Sequence, residues 1–334
     1  MKIAFILAYP FITPANGIIS QALAWKKGLE DLKHEVCLIS PWQYCDWKSF
    51  DVIHYFGFSS YMRHQIECFK GIHSNIVVSP ILDPEYPVWA YKIYSHWGCD
   101  HLKLTNYYHS FHQIKKSIKV VLARSEFEKK YLVHGFGFPE SICKIVPLSF
   151  DMEPVPKQIQ KEPFCFHCSL LADKRKNVRR LIEAARKYKF KLILGGHLRN
   201  EQEKQMLNKW IGGAENIEYL GFLSRMKMID LYTRARVFAL PSTNEGVGIV
   251  ALEAASLGCD IVLTSLGGPL EYYKGLAQTV NPYSVDEIGE AIVYLMNKAS
   301  SQPELSEMIR SSYSHSNVGL ILEQIYQNLS RNDG

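Results

Sequence analysis

Apolar and polar positions follow two alternating patterns along this chain. Short apolar runs at residues 1–10, 36–39, 51–54, 75–78, 120–123 and 144–147, and again at 164–168, 191–196, 217–220, 237–240 and 261–264, read as strands. Between them, apolar residues recur at helical spacing. Ala22, Leu23, Trp25, Leu29 and Leu32 mark a helix over 20–32, and Val178, Leu181, Ile182 and Ala185 mark a second. Further helices are expected over 226–232, from near Gly248, over 286–296 and over 318–329, the last through Leu320, Ile321, Ile325, Tyr326 and Leu329. Strand alternating with helix through both halves predicts two open α/β domains. Residues 151–163 hold three prolines and few apolar side chains, and read as a linker. The expected division is therefore 1–150, a linker 151–163, 164–310, and a terminal helix in 311–334. Ligands of such folds bind at the carboxyl ends of the strands, so the turns at Gly17, Lys176, Glu245 and Gly268 are expected to converge on one cleft.

Composition agrees with this division. A chain of 334 residues suits two domains of roughly 150 residues each, and 47% hydrophobic with 21% charged residues is the balance of a folded soluble protein. No apolar run approaches the ~20 residues needed to cross a bilayer, and the first run lacks a signal-peptide cleavage site. The expected location is cytoplasmic, with the inner face of the membrane as a place of peripheral contact. Cysteines at 37, 45, 68, 99, 143, 165, 168 and 259 are too scattered for a disulfide scaffold and read as reduced thiols. Cys165-Phe166-His167-Cys168 has no second ligand pair at finger spacing, so buried strand cysteines are expected and not zinc. The net charge is +5, with 16 Lys and Arg against 12 Asp and Glu in residues 1–150, and nine of the twelve histidines fall there too. That excess favours an acidic partner such as a phosphate-bearing lipid or anionic glycan, a merely solvated surface being the alternative; no nucleic acid is expected. Within 84–119, Tyr86, Trp89, Tyr91, Tyr94, Trp97, Tyr107, Tyr108 and Phe111 mix with histidines and lysines. Such a mixture forms either a face for headgroups or sugar rings, or a partly buried core. His109 and His112 share a helix face but have no third ligand, and no metal is expected.

The chemistry concentrates in Pro241-Ser242-Thr243-Asn244-Glu245-Gly246-Val247-Gly248-Ile249-Val250-Ala251-Leu252-Glu253-Ala254-Ala255. This is the middle of one strand–loop–helix–strand unit. Gly246 and Gly248 let backbone N–H groups approach a ligand, and the following helix aims its positive end over the loop. Glu245 and Glu253 then flank a glycine-lined anion site. Asp173-Lys174-Arg175-Lys176-Asn177 puts basic side chains at another helix start, a natural place for a diphosphate. Gly267-Gly268-Pro269-Leu270-Glu271 forms a second glycine turn, with proline at the expected first helical position.

Pro-Ser-x-x-Glu-Gly-x-Gly followed by Leu-Glu-Ala, with seven residues between Glu245 and Glu253, resembles the Glu-x7-Glu signature of retaining glycosyltransferases of family 4. The resemblance covers nearly the whole chain and is strongest from 164 to 296. It implies the α/β fold called GT-B, two Rossmann-like doubly wound domains facing a central cleft, the first on the acceptor side and the second holding the nucleotide sugar. The implied reaction moves a sugar from a nucleotide-sugar donor to a glycan or lipid-linked acceptor in surface polysaccharide or glycoconjugate synthesis. It retains anomeric configuration and needs no metal or further cofactor, in keeping with the lack of any Asp-x-Asp sequence. By the same resemblance Glu245 orients the sugar, Lys176 and the Gly246-Val247-Gly248 loop hold the diphosphate, and Glu253 takes the ribose hydroxyls. Gly267, Gly268 and Glu271 flank the nucleotide, and Gly17 matches a loop facing donor phosphate or acceptor.

Two departures stand out. Ser79-Pro80-Ile81-Leu82-Asp83 occupies the place of the family's sugar-contacting histidine, with Ser79 or Asp83 as substitutes. Leu170 and Leu171 fill the space of its phosphate arginine, with Arg175 or Lys174 as replacements. They leave two other classes open: a non-catalytic GT-B protein that binds a glycan or stabilises a partner, and a sugar-nucleotide epimerase. Retention of both glutamates argues against the first, and product analysis separates the second.

Overall fold

The apolar runs become two all-parallel sheets in the computed structural model, which describes residues 1–8, 17–40, 44–69, 71–99, 106–152, 160–297 and 300–331. Contacts divide the chain into two units, one of Met1–Phe150 with Tyr313–Gly334 and the other of Asp151–Ser312.

The first unit contains β1 (Lys2–Leu7), α1 (Gly17–Asp31), β2 (Glu35–Leu38), β3 (Val52–Phe56), α2 (Ser60–Cys68), β4 (Ile76–Ser79), α3 (Val88–His96), α4 (Tyr107–Gln113), β5 (Val120–Ala123), α5 (Glu126–Lys130) and β6 (Cys143–Ile145). Its strands lie in the order β2-β1-β3-β4-β5-β6. Every residue of β3, β4 and β5 is buried, as happens when helices cover both faces of a parallel sheet. A buried histidine, His54 on β3, sits in this core, with Nδ1 2.6 Å from the Tyr326 hydroxyl and Nε2 2.8 Å from that of Ser79. Burial holds its pKa down at about 3, so the ring is neutral.

The second unit runs β7 (Glu162–Cys168), α6 (Val178–Tyr188), β8 (Lys191–Gly195), α7 (Glu201–Ile211), β9 (Ile217–Tyr219), α8 (Arg225–Arg234), β10 (Ala235–Leu240), α9 (Ile249–Ser256), β11 (Asp260–Thr264), α10 (Leu270–Tyr273), β12 (Gln278–Val280), α11 (Val285–Asn297) and α12 (Glu304–Tyr313). A final helix, α13 (His315–Arg331), packs on α1 in the first unit. The second sheet has the order β9-β8-β7-β10-β11-β12, so the chain reverses its winding between β7 and β10. That is the topological switch point, outside which ligands of open α/β sheets bind.

The sequence pattern and the structure differ in places. β7 begins at Glu162, inside the stretch read as linker, of which residues 153–159 lie outside the described ones. The loop expected after β1 also falls outside them up to residue 16, and α1 starts at Gly17. The helices α2, α7 and α12 and the strand β12 lie outside the elements expected from the sequence. α7 turns Leu207, Trp210 and Ile211 to the core and starts at a cap, where Asn200 Oδ1 accepts from Glu203 N at 2.9 Å. Cys165 and Cys168 are buried free thiols on β7.

Candidate functional site

The loops after β7 and β10 meet at the switch point of the second sheet. Asp173 caps a single 3-10 turn, Lys174–Lys176, by accepting from Arg175 N at 2.9 Å. Thr243 N donates to Arg175 O at 2.8 Å, which pins this turn to the loop after β10. Asn177 takes a left-handed conformation, φ 57°, a state asparagine tolerates better than most residues. Its buried Nδ2 donates to Pro241 O at 2.9 Å and Pro282 O at 2.6 Å, tying three carboxyl-end loops together.

Across this junction Lys176 Nζ donates to Glu245 Oε2 at 2.7 Å, and Ser242 Oγ donates to the same oxygen at 3.0 Å. Glu245 is 8% exposed, so the pair sits in a shielded environment where its attraction exceeds that of a surface ion pair. An ammonium has three N–H donors, and one is used here. Arg175 behaves differently. Its guanidinium folds back on Asp173, with Nη2 to Oδ2 at 2.8 Å. Burial raises the Asp173 pKa, but the hydrogen bonds from Arg175 outweigh it and leave the carboxyl below its usual range.

Two glycines shape the loop. Gly248 precedes α9 with φ 80°, and an added Cβ would lie 2.7 Å from Leu240 Cδ2. Gly267, φ 83°, belongs to the turn before α10, and its Cβ would lie 2.8 Å from Glu245 O. The second glycine turn therefore packs directly on the backbone of Glu245. Gly246, Val247 and Gly268 are buried beside them, and Glu271 is exposed at the start of α10.

Glu253 stands apart from the Lys176–Glu245 pair. It lies on α9, a helix buried from Ala251 to Ser256, and is itself only 9% exposed. Burial pushes its pKa up to about 7, opposed by the charge of Arg225 and by the nearby Tyr232 hydroxyl and reinforced by Asp151. Arg225 is held in turn by Asp151, whose backbone O accepts from Nη2. The sequence pattern thus places the two glutamates correctly on loop and helix but not their surroundings. The solvated helix face that an exposed Glu253 would occupy does not exist.

Several residues of this site carry no sequence signal strong enough to single them out. His167, at the carboxyl end of β7, is fully buried; its Nδ1–H donates to Ala239 O at 2.7 Å and its Nε2 accepts from Ser169 Oγ at 2.7 Å. Burial, opposed by that backbone bond and aided by the charge of Lys176, holds its pKa at about 4. The neutral ring clamps β7 to β10 at the switch point. Arg225 was likewise hidden, because it acts through a tertiary partner, while Ser242 and Asn177 stood in the loop segments around Glu245 and Lys176 without a role assigned to them.

The substitutes considered for the family histidine are both engaged in the first unit. Ser79 is buried against His54, and Asp83 Oδ1 accepts from Arg124 Nη2 at 2.9 Å. Arg124 also donates through Nε to the buried Glu128 at 2.9 Å, so this cluster holds the loop after β4 in place. Gly17 opens α1 in the same unit, with nothing within 4 Å of an added Cβ.

Two Rossmann-like parallel sheets, with a lysine–glutamate pair at the switch point of the second, define the GT-B class. The HepE protein of Anabaena, solved in complex with UDP, shares the fold at a TM-score of 0.76 and 16% identity, over 98% of this chain and 100% of that one. Sucrose-phosphate synthase from Thermosynechococcus elongatus matches at 0.75 and 14%, over 98% of each. Residues 151–313, which make up nearly all of the second unit, match the family model described as Glycosyl transferases group 1. Among curated relatives, the O-antigen chain mannosyltransferase B of Escherichia coli is 26% identical over 204 residues, 55% of this chain and 53% of that protein. Alignments with two further relatives span 25% and 44% of their lengths.

Proposed function

We propose that this protein transfers a sugar from a nucleotide-sugar donor to a glycan or lipid-linked acceptor in the synthesis of a surface polysaccharide or glycoconjugate, without metal and with retention of configuration. The observation that carries this reading is the Lys176–Glu245 pair at the switch point, 2.7 Å apart and framed by Gly248 and Gly267. As the bond to the sugar breaks, negative charge grows on the leaving diphosphate. Lys176 and the backbone N–H groups of Gly246 to Gly248 are the groups that stabilise it. Glu245, fixed by Lys176 and Ser242, accepts from the hydroxyls of the transferred sugar, and Glu253 accepts from those of the ribose. Gly267, Gly268 and Glu271 line the nucleotide side. In this reading residues 164–310 form the donor domain and residues 1–150 serve the acceptor, with Gly17 on the acceptor or phosphate side. A lipid-linked acceptor brings the protein to a membrane surface. The UDP in the HepE structure and the mannosyltransferase name of the Escherichia coli relative support a nucleotide-sugar donor.

The test is a mass-spectrometric screen of UDP-, GDP- and other nucleotide sugars for binding and slow hydrolysis, followed by NMR of the released anomer and a repeat in EDTA. Hydrolysis of one donor with retention, unaffected by EDTA, is expected. Binding without turnover, with or without acceptors, would favour a glycan-binding role, and an isomerised nucleotide sugar would favour an epimerase.

A further inference from the structure

The aromatic residues of the segment from 84 to 119 split into two sets. Tyr91 and Phe111 are buried in the core of the first unit. Trp89, Ile93 and Trp97 are 65%, 55% and 75% exposed. These three stand four residues apart along α3 and its C-cap, so they form one stripe on one face of the helix. Tyr86 and Tyr94 widen it, with ring centroids 6.4 Å apart, and Tyr94 stacks at 5.9 Å on Tyr108.

The stripe sits on an ordered support. The opposite face of α3 buries Ala90, Tyr91 and Ser95, and Ser95 Oγ donates to Gly135 O at 2.9 Å. At the C-terminal end, Asn106 Nδ2 donates to Tyr94 O at 3.2 Å and Trp97 O at 3.0 Å, while its Oδ1 caps α4. The exposed tryptophans are thus displayed by a helix fixed on its inner side and at its end. Large exposed apolar patches on such a surface mark an interaction site.

Charge narrows the choice of partner. Residues 84–119 contain Lys92, Lys103, Lys115, Lys116 and Lys119 against two carboxylates, Glu85 and Asp100. Lys92 and His96 are exposed on α3 itself. Lys115 lies beyond His96 across the buried, neutral ring of His112, whose centroid is 4.3 Å from that of His96 and whose Nε2 is 3.4 Å from Lys115 Nζ. Tryptophan and tyrosine are the side chains that settle at a membrane–water boundary, and lysines beside them meet lipid phosphates.

We infer that the α3 face, with Trp89, Ile93 and Trp97 at its centre and Lys92, His96 and Lys115 along its edge, docks the protein on an anionic phospholipid surface. The inference deepens the reading of a lipid-linked acceptor and rests on it only for its purpose. The apolar stripe enters the headgroup region while the basic edge pairs with phosphates, so both parts are needed.

The experiment is co-sedimentation of the full chain with vesicles of phosphatidylcholine alone or mixed with phosphatidylglycerol, alongside light scattering for oligomeric state and sugar transfer to a soluble acceptor. The parent is expected to bind the mixed vesicles, more weakly at high salt, and the neutral ones far less. Trp89→Ala with Trp97→Ala should lower that binding by at least about tenfold. Lys92→Glu with Lys115→Glu should do the same on mixed vesicles only. Circular dichroism and donor hydrolysis should be unchanged in both, since both pairs belong to the first unit and the residues proposed to bind the sugar, diphosphate and ribose belong to the second. Equal binding by the tryptophan variant and the parent, or equal binding to neutral and mixed vesicles, overturns the inference. So does a parent that ignores vesicles but forms a dimer the tryptophan variant cannot form, because the patch then covers a second copy. Vesicle binding by a parent that transfers no sugar upholds this surface and rejects the transferase reading alone.

Discussion

At the scale of single residues, the site depends on which carboxylates are ionised and which cations are free to move toward a ligand. Glu253 has its pKa raised to about 7 by burial, so near neutrality it is divided between two states. A folded value above the unfolded one means that the stability it confers is fully present below the unfolded pKa and is lost as pH rises through about 7. On the proposed reading, in which Glu253 accepts from the ribose hydroxyls, binding needs the opposite state, because only the ionised carboxylate is purely an acceptor. Donor affinity should therefore rise by up to about tenfold between roughly pH 6 and 8. Glu253→Gln should flatten that rise and remove the matching loss of thermal stability. Calorimetric titration with the hydrolysed nucleotide at several pH values checks both, and an affinity independent of pH in the parent rejects the assignment. The cations make a second case. Lys176→Ala removes the ammonium that faces Glu245 and should lower turnover at least about 10²-fold, whereas Arg175→Ala, which breaks the guanidinium's bonds to Asp173, should do much less. Initial rates for the two variants decide it, and a larger loss from Arg175→Ala moves the phosphate site by one residue. Glu245, Lys176 and the glycines were legible in the sequence because a loop between two apolar runs has few reasons to hold them. His167 and Asn177 were not, because a buried imidazole and a left-handed asparagine look like any other polar residue until Ala239, Pro241 and Pro282 close around them.

At the scale of elements, the loop of Glu245 is positioned by the turn before α10. Gly267 and Gly275 have the same φ of 83°, but only Gly267 has a backbone atom where a Cβ would go, Glu245 O at 2.8 Å. Alanine at either costs about 1–2 kcal/mol of left-handed strain. The difference between Gly267→Ala and Gly275→Ala therefore isolates the displacement of Glu245. Melting temperatures should fall comparably, with Gly267→Ala somewhat lower. Turnover should fall by about 10²-fold for Gly267→Ala alone, as misplacing a reacting group by about 1 Å does. Equal turnover in the two variants would show that the second glycine turn does not position the site. The strands were legible for a related reason: a parallel sheet covered on both faces leaves unbroken apolar runs that polar segments punctuate. α2, α7 and α12 are short, of nine to eleven residues, and their few apolar positions, such as Leu305 and Ile309 on α12, stand out less than the strand runs do.

At the scale of the molecule, the second unit is one continuous stretch and the first is not. Met1–Phe150 is completed only by Tyr313–Gly334, at the far end of the chain. The join is close: a Cβ on Gly28 of α1 would fall 2.1 Å from His315 O, and one on Gly319 of α13 would fall 2.8 Å from Gly28 backbone atoms. Two helices meet there backbone to backbone, which only glycine permits. α13 also buries Val318, Leu322, Tyr326 and Leu329, gives His54 its Tyr326 partner, and pairs Glu323 with His34 at 2.8 Å. Four buried side chains at ~1.5–3 kcal/mol each amount to roughly the whole stability of an ordinary domain, about 5–15 kcal/mol. Ending the chain after Ser312 should therefore unfold the first unit while the second, whose core involves none of these residues, stays folded. Two observations would establish this: trypsin should cut rapidly within residues 1–150 and spare 160–297, and the nucleotide, if bound by the second unit alone, should still protect that fragment. Should the first unit resist trypsin without α13, the burial around Tyr326 contributes far less than its area implies. The packing at Gly28 and Gly319 would then serve position and not stability.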